Sequence, residues 1–146
     1  MAENTIKLAV YGIPPVELEI EAAGADIMPG MLLKRDNAGT IIRHDIADGP
    51  ASPKLIAVEN LFEGKTIDDL YVSGENVYII AARPGDLMWM WLDATVTVSI
   101  GDYVSSNGDG ALKLAPAPPT TPGSLVGTTI EALTLGALQR VKVEIA

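Results

Sequence analysis

No cysteine occurs among the 146 residues. Disulfides, thiolate metal sites and cysteine nucleophiles are thereby excluded. Histidine is almost as scarce: His44 stands alone, between Arg43 and Asp45 at the end of a predicted strand. A catalytic histidine needs a nucleophile and an orienting acid. No serine here sits in a nucleophile-elbow motif, so His44 reads as a surface residue. Basic residues are few, 10 against 19 acidic ones, giving a formal net charge of −9. They are scattered singly, with no aromatic-lined basic stripe, and the acidic surplus opposes both nucleic acid and anionic lipid. No apolar run approaches the roughly 18 residues of a membrane helix; the longest candidates are cut at Pro84-Gly85-Asp86 and at Asp93. Met1-Ala2-Glu3-Asn4 shows no basic region followed by an apolar one, so no signal peptide is expected and the cytoplasm is the default compartment. A phosphate cradle is not expected either, because no Gly-rich loop precedes a long helix.

What the chain does have is apolar residues, 48% of the total, with a mean hydropathy of +0.26. That is more than a lone small domain needs to bury, and it suggests an oligomer or a protein that covers surface on a partner. The length fits one domain, 1–146.

The apolar residues recur with the spacing of strands, broken by turns. Thr5 to Tyr11 alternates with Ile6, Leu8 and Val10 on one face, and residues 1–12 could form an extended arm. Val16-Glu17-Leu18-Glu19-Ile20 repeats the alternation, acid outward and aliphatic inward. Met31-Leu32-Leu33 and Thr40-Ile41-Ile42 flank the turn Asp36-Asn37-Ala38-Gly39. Strands are also predicted at Lys54–Val58, Asn76–Ala81, Leu87–Leu92, Thr95–Ile100 and Gln139–Ile145. Asn107-Gly108-Asp109-Gly110, between Tyr103-Val104 and Ala111–Leu114, is the strongest hairpin signal. Only Glu59–Gly64 and Thr66–Leu70 suggest helical turns. The proline-rich stretch 115–124 cannot join a ladder and reads as a surface loop; a ligand for a proline-recognising domain is the alternative. The expected fold is all-β: a small β-barrel or β-sandwich of hairpins with one or two short helical turns and an extended N-terminal arm.

A weak internal repeat runs through the hairpins. Gly30 and Gly39 are spaced as Gly101 and Gly110 are, and aligning them superposes Leu32-Leu33 on Tyr103-Val104, Asp36 on Asn107 and Ile41 on Leu112. Pseudo-symmetry in a barrel or sandwich would produce this pattern. So would chance, since Gly-closed turns are common.

Chemistry-bearing clusters are thin. Asp68-Asp69 and the pair Asp45/Asp48 bring carboxylates together, but a calcium loop needs ligands at alternating fixed positions around a glycine. The Asn107–Gly110 turn lacks the distal bidentate glutamate of such a loop. Met88-Trp89-Met90 has the shape of a biotin-carrier hairpin, but Trp89 offers no amine to acylate. No catalytic residue, metal or cofactor is expected; a small enzyme built on Asp68-Asp69 is the remote alternative. The informative stretch is Leu87–Leu92, where Leu87, Trp89 and Trp91 share one face and Met88, Met90 and Leu92 the other. A strand apolar on both faces is covered on both. Either it lies at the centre of a core, or one face meets a neighbouring subunit, since Trp and Met are enriched at interface cores. Met88, Trp89, Met90 and Trp91 are therefore candidate oligomer contacts.

With that pattern in hand, the chain resembles the head decoration (cement) proteins of tailed bacteriophages. The matching stretches run from Glu3 to Tyr11, Glu19 to Leu32, Leu55 to Glu59, Gly64 to Asp69, Arg83 to Asp86 and Ile100 to Gly110. They are turn and strand punctuation whose order carries the likeness. The resemblance implies a virion protein without cofactor. It would be made in the host bacterial cytoplasm and bound to the outer capsid surface, commonly as a homotrimer that clamps the major capsid protein. On this reading the N-terminal residues Thr5, Ile6, Lys7 and Leu8 are candidate capsid contacts. A carbohydrate- or host-surface-binding β module, with exposed Trp stacking on sugars, is the alternative.

Overall fold

A computed structural model of the chain describes residues 4–10, 16–24, 26–93 and 97–146. The strands form where apolar and polar residues alternate, each ending at a turn residue. In chain order they are β1 (Lys7–Ala9), β2 (Val16–Glu21), β3 (Leu32–Arg35), β4 (Ile41–Arg43), β5 (Lys54–Ala57), β6 (Asn76–Ala82) and β7 (Leu87–Leu92). Then come β8 (Thr97–Val98), β9 (Tyr103–Ser106), β10 (Leu112–Ala115), β11 (Gly127–Thr129), β12 (Leu133–Thr134) and β13 (Gln139–Ile145). The fold is all-β.

Strands β7, β13, β11, β9 and β10 pair in that order, and β10 returns to β7 through a parallel contact of Leu112 with Leu92. The result is a closed five-stranded barrel. β2, β6, β5, β3 and β4 pair in the matching order, and this sheet is brought round by a parallel bridge of Ala22 with Ile41. The two closures use the same bond: Ala23 N–H donates to Ile41 O at 3.0 Å, and Asp93 N–H to Leu112 O at 2.8 Å. Ile41 and Leu112 are the residues superposed by the sequence repeat. Gly30 N–H donates to Ala57 O at 2.8 Å and Gly101 N–H to Thr129 O at 2.7 Å, while Ala57 and Thr129 donate back to Met31 O and Asp102 O. The weak repeat is therefore a duplicated barrel.

Each barrel has its own filling. Met88, Met90, Leu92, Val104, Leu112, Val141, Val143 and Ile145 belong to the core of the second barrel, and Ile27, Leu33, Ile41, Leu55, Val77 and Ile79 to that of the first. Leu32, Ile56 and Ile80 belong to the first barrel's strands but join the second barrel's cluster. They share one face of the sheet by register, Leu32 opposite Ile56 and Ile56 opposite Ile80. The opposite face, with Leu33, Leu55 and Ile79, lines the first core. β5 is thus apolar on both sides because it separates two cores, as β7 does.

The hairpin turns follow the sequence. Asp36 Oδ1 accepts N–H bonds from Ala38 and Thr40, and Gly39 takes φ 83°, a conformation glycine adopts without strain. The Thr40 hydroxyl and these amides hold the Asp36 carboxyl below its ordinary range. Glu59–Gly64 contains one 3-10 turn, Leu61–Glu63, capped by the Asn60 side chain and closed by Gly64 in the left-handed region. The helical turn expected over Thr66–Leu70 is not helix. Asp69 Oδ2 accepts from Thr66 N–H, making a turn, and Tyr71 is then drawn into a bridge with Ile27. The strand expected over Thr95–Ile100 is shorter, Thr97–Val98; Ala94, Thr95 and Val96 lie outside the described residues. β11 falls in the apolar run from Leu125-Val126 onward that follows the second hairpin as residues 55–58 follow the first, while β12 shows no clear alternation in the sequence. Residues 116–118 and 120–123 of the proline-rich stretch are exposed, as a loop should be, but its ends depart from that expectation: Ala115, which is not a proline, completes β10 opposite Tyr103, and Ser124 is buried.

Tyr71 lies buried in the first core, and its hydroxyl donates to Val58 O at 2.6 Å. Burial pushes the phenol far above its usual value. The folded state therefore favours the neutral ring. This contribution is complete below the ordinary tyrosine value, about pH 10, and is lost as pH climbs toward the folded one. We expect stability to fall steeply above about pH 10 in urea titrations, and Tyr71→Phe to flatten that slope. An unchanged slope would assign the alkaline loss to other groups.

Candidate interaction surfaces

The two-faced strand β7 divides its side chains as its alternation demands. Met88 and Met90 are fully buried inside the second barrel. Trp89 and Trp91, half-buried, point the other way, into the seam between the barrels. Arg140 on β13 lies across both rings, its guanidinium carbon 4.3 Å from the Trp91 centroid and 5.5 Å from that of Trp89. Trp91 Nε1 and Arg140 Nε both donate to Pro29 O, at 2.9 and 3.1 Å. Arg140 also donates to Ile67 O and pairs with Asp68 at 3.2 Å. Only 5% of the Arg140 side chain is exposed, against 77% of Asp68. Desolvation is accordingly the larger influence on the guanidinium, lowering its pKa, with Asp68 opposing it.

Gly30 makes that close approach possible. It has φ 98°, and a Cβ there would stand 2.9 Å from Trp89 O and 3.3 Å from the Trp91 ring. The sequence marks Gly30 only as the first glycine of the hairpin repeat, and it gives Arg140 no distinguishing signal. Nothing local in Leu138-Gln139-Arg140-Val141 announces that this cation is buried.

His44 is a correction. It is 1% exposed, not a surface residue, because the end of β4 is covered by the turn after β9. Its Nδ1 lies 2.7 Å from Ser106 Oγ and its Nε2 2.9 Å from Pro50 O, joining the first barrel to the second. The carboxylates noted as pairs are separately engaged. Asp45 bonds Lys34; Asp48 accepts from Lys113 Nζ at 2.7 Å and Ser105 Oγ at 2.8 Å, and these bonds hold its carboxyl below its ordinary range. Asp68 faces Arg140, and Asp69 accepts from Thr66. Among the described residues, no three His, Asp or Glu side chains are grouped to hold a metal, and every buried side-chain nitrogen or oxygen has a partner. No helix of the described residues is long and apolar enough to cross a membrane.

The described N-terminal residues lie against the body. β1 adds antiparallel to the edge of β7, with Lys7 opposite Met88, and Trp89 N–H donates to Ile6 O at 2.9 Å. Ile6 is fully buried, while Thr5, Lys7 and Leu8 are half-buried. Glu59, nearly buried, accepts from the Thr5 hydroxyl at 2.6 Å and from Ile6 N–H at 3.2 Å. Removing this acceptor with Glu59→Ala should cost about 1–3 kcal/mol and speed hydrogen exchange at residues 6–9 ahead of the barrels. Unchanged exchange there would show that Glu59 does not hold the strand. Beside β1 lies a groove lined by Thr5, Lys7, Glu17, Leu18, Phe62 and Tyr78, and Phe62 on its rim is 88% exposed.

These features define a class: a duplicated-barrel, all-β protein in which His44, Trp91 and Arg140 carry hydrogen bonds between the two halves. No protein-family model matches the chain, and no curated protein matches it in sequence. Among solved structures it is similar in fold to the crystal structure of head fiber gp8.5 N base in bacteriophage phi29. The TM-score is 0.53 at 13% identity, over 88% of this chain and 92% of that one.

Proposed function

We propose that the chain is a structural protein of a phage head, bound to the outer capsid surface as a homotrimer and stabilising the lattice of the major capsid protein. The observation that carries the reading is the fold likeness to a head fiber base along nearly the whole of both chains. It agrees in kind with the resemblance to decoration proteins carried by the order of turns and strands. A protein of this kind acts through many repeated weak contacts, which a shell sums by multivalency, and its work needs no reaction or cofactor. The glycan-binding alternative relied on exposed Trp faces, and Arg140 lies over both rings.

The test is co-sedimentation of the purified protein with expanded heads, with its mass in solution measured by light scattering. Saturable binding and raised resistance of the heads to heat are expected. Absence of binding to any assembled head would end the capsid reading, and a monomer both free and bound would end the trimer.

A further inference from the structure

The duplication supplies its own control for an unfilled position. In the second barrel, the outward N–H groups of β7 are all taken: Trp89 by Ile6 O of β1, Trp91 by Gly30 O and Asp93 by Leu112 O. The corresponding strand of the first barrel is β2. Ala22 N–H points inward along the ladder, to Glu75 O, and Ala23 N–H outward, to Ile41 O. Because successive amides alternate sides, the N–H groups of Glu21, Glu19 and Glu17 face outward with Ala23. None of the three has an acceptor among the described residues beyond the ladder to β6. Among the described residues β4 meets β2 only at Ala22, and none of them covers the edge of Val16–Glu21; Val16 is 61% exposed.

We propose that this edge takes up an extended segment of a partner protein, added antiparallel to β2 as β1 is added to β7, and carrying lysine or arginine at alternate positions. The charge argument selects the partner. Glu17, Glu19 and Glu21 are all exposed on one side of the strand, so a second copy pairing edge to edge would set glutamate against glutamate, which is unfavourable. A strand with basic residues at every second position would meet the same row favourably. The chain already makes one such contact, as Lys7 of its added strand β1 reaches Glu17 at 3.1 Å. Backbone bonds would supply affinity and the glutamate row the selectivity. The inference does not depend on the capsid reading, because geometry and charge define the partner.

The experiment titrates the full chain with a short synthetic peptide alternating lysine and valine, beside a control alternating glutamate and valine. Binding of the basic peptide alone, with slowed hydrogen exchange at Glu19 and Glu21, is expected. Glu19→Pro removes an outward N–H that the ladder to β6 does not use, a position where an edge strand tolerates proline. It should weaken the peptide by about tenfold, and since the only side-chain bond described for Glu19 is the exposed one from Asn76 Nδ2 at 3.1 Å, the thermal midpoint should fall only slightly. If that variant unfolds, Glu17→Lys/Glu19→Lys/Glu21→Lys decides: preference should switch to the acidic peptide. Failure of the basic peptide to bind, equal binding by Glu19→Pro, or no switch by the triple variant would each overturn the proposal.

Discussion

Arg140→Ala is expected to lower the stability of the protein by about 3 kcal/mol, the sum of a lost cation–π contact and an unpaired buried carbonyl. The guanidinium binds Pro29 O and Ile67 O from the first barrel while standing on β13 of the second, and it covers both indoles of β7. Pro29 O retains Trp91 Nε1 after the substitution, but Ile67 O has no other donor among the bonds described. Asp68 is well exposed, so its charge is not stranded and adds little to the loss. Arg140→Lys keeps the charge without the planar fork that serves two carbonyls and two rings at once, and should cost about 2 kcal/mol. Thermal unfolding would show the alanine variant as a fall of roughly 6–12 °C in Tm. A fall within experimental error would mean that the seam is held by apolar packing alone.

Met90→Ala should cost a similar amount, about 2–5 kcal/mol, from lost burial and the cavity left behind. This substitution also separates two roles for the strand Leu87–Leu92. Met90 is fully buried in the core of the second barrel, opposite Val141. Its loss should therefore appear in urea unfolding at every protein concentration. A contact between subunits would instead make the loss depend on concentration, through the dissociation of the oligomer. The half-buried edges of Trp89 and Trp91 are the part of this strand that a neighbouring copy could still meet.

The apolar surplus has an internal explanation. A duplicated barrel has two cores and a seam; β5 is apolar on both faces to build it, and β7 turns one face into a core and its half-buried Trp face into the seam. An apolar fraction of 48% can be met largely within one chain on these terms, so composition alone does not require a trimer. Trimerisation belongs to the resemblance and to the sizing experiment.

Periodicity and turn chemistry determined the local structure of this protein. Alternation in Val16–Ile20, Leu87–Leu92 and Gln139–Ile145 specified strands, and the glycine-closed turns at Asp36–Gly39 and Asn107–Gly110 specified the two matching hairpins. These depend on neighbours within a few residues, and a sequence displays such neighbours directly. Tertiary structure alone decided that the hairpin repeat marks two barrels, that His44 and Arg140 are buried, and that the Trp face of β7 meets Pro29 and Gly30. Those facts rest on contacts between residues 62 and 111 positions apart. The side chains involved are polar or amphipathic, and their local spacing does not say whether water or another strand will satisfy them. The same limit explains Glu17, Glu19 and Glu21: sequence places them outward, and only the finished sheet shows that their outward N–H groups find no acceptor among the described residues.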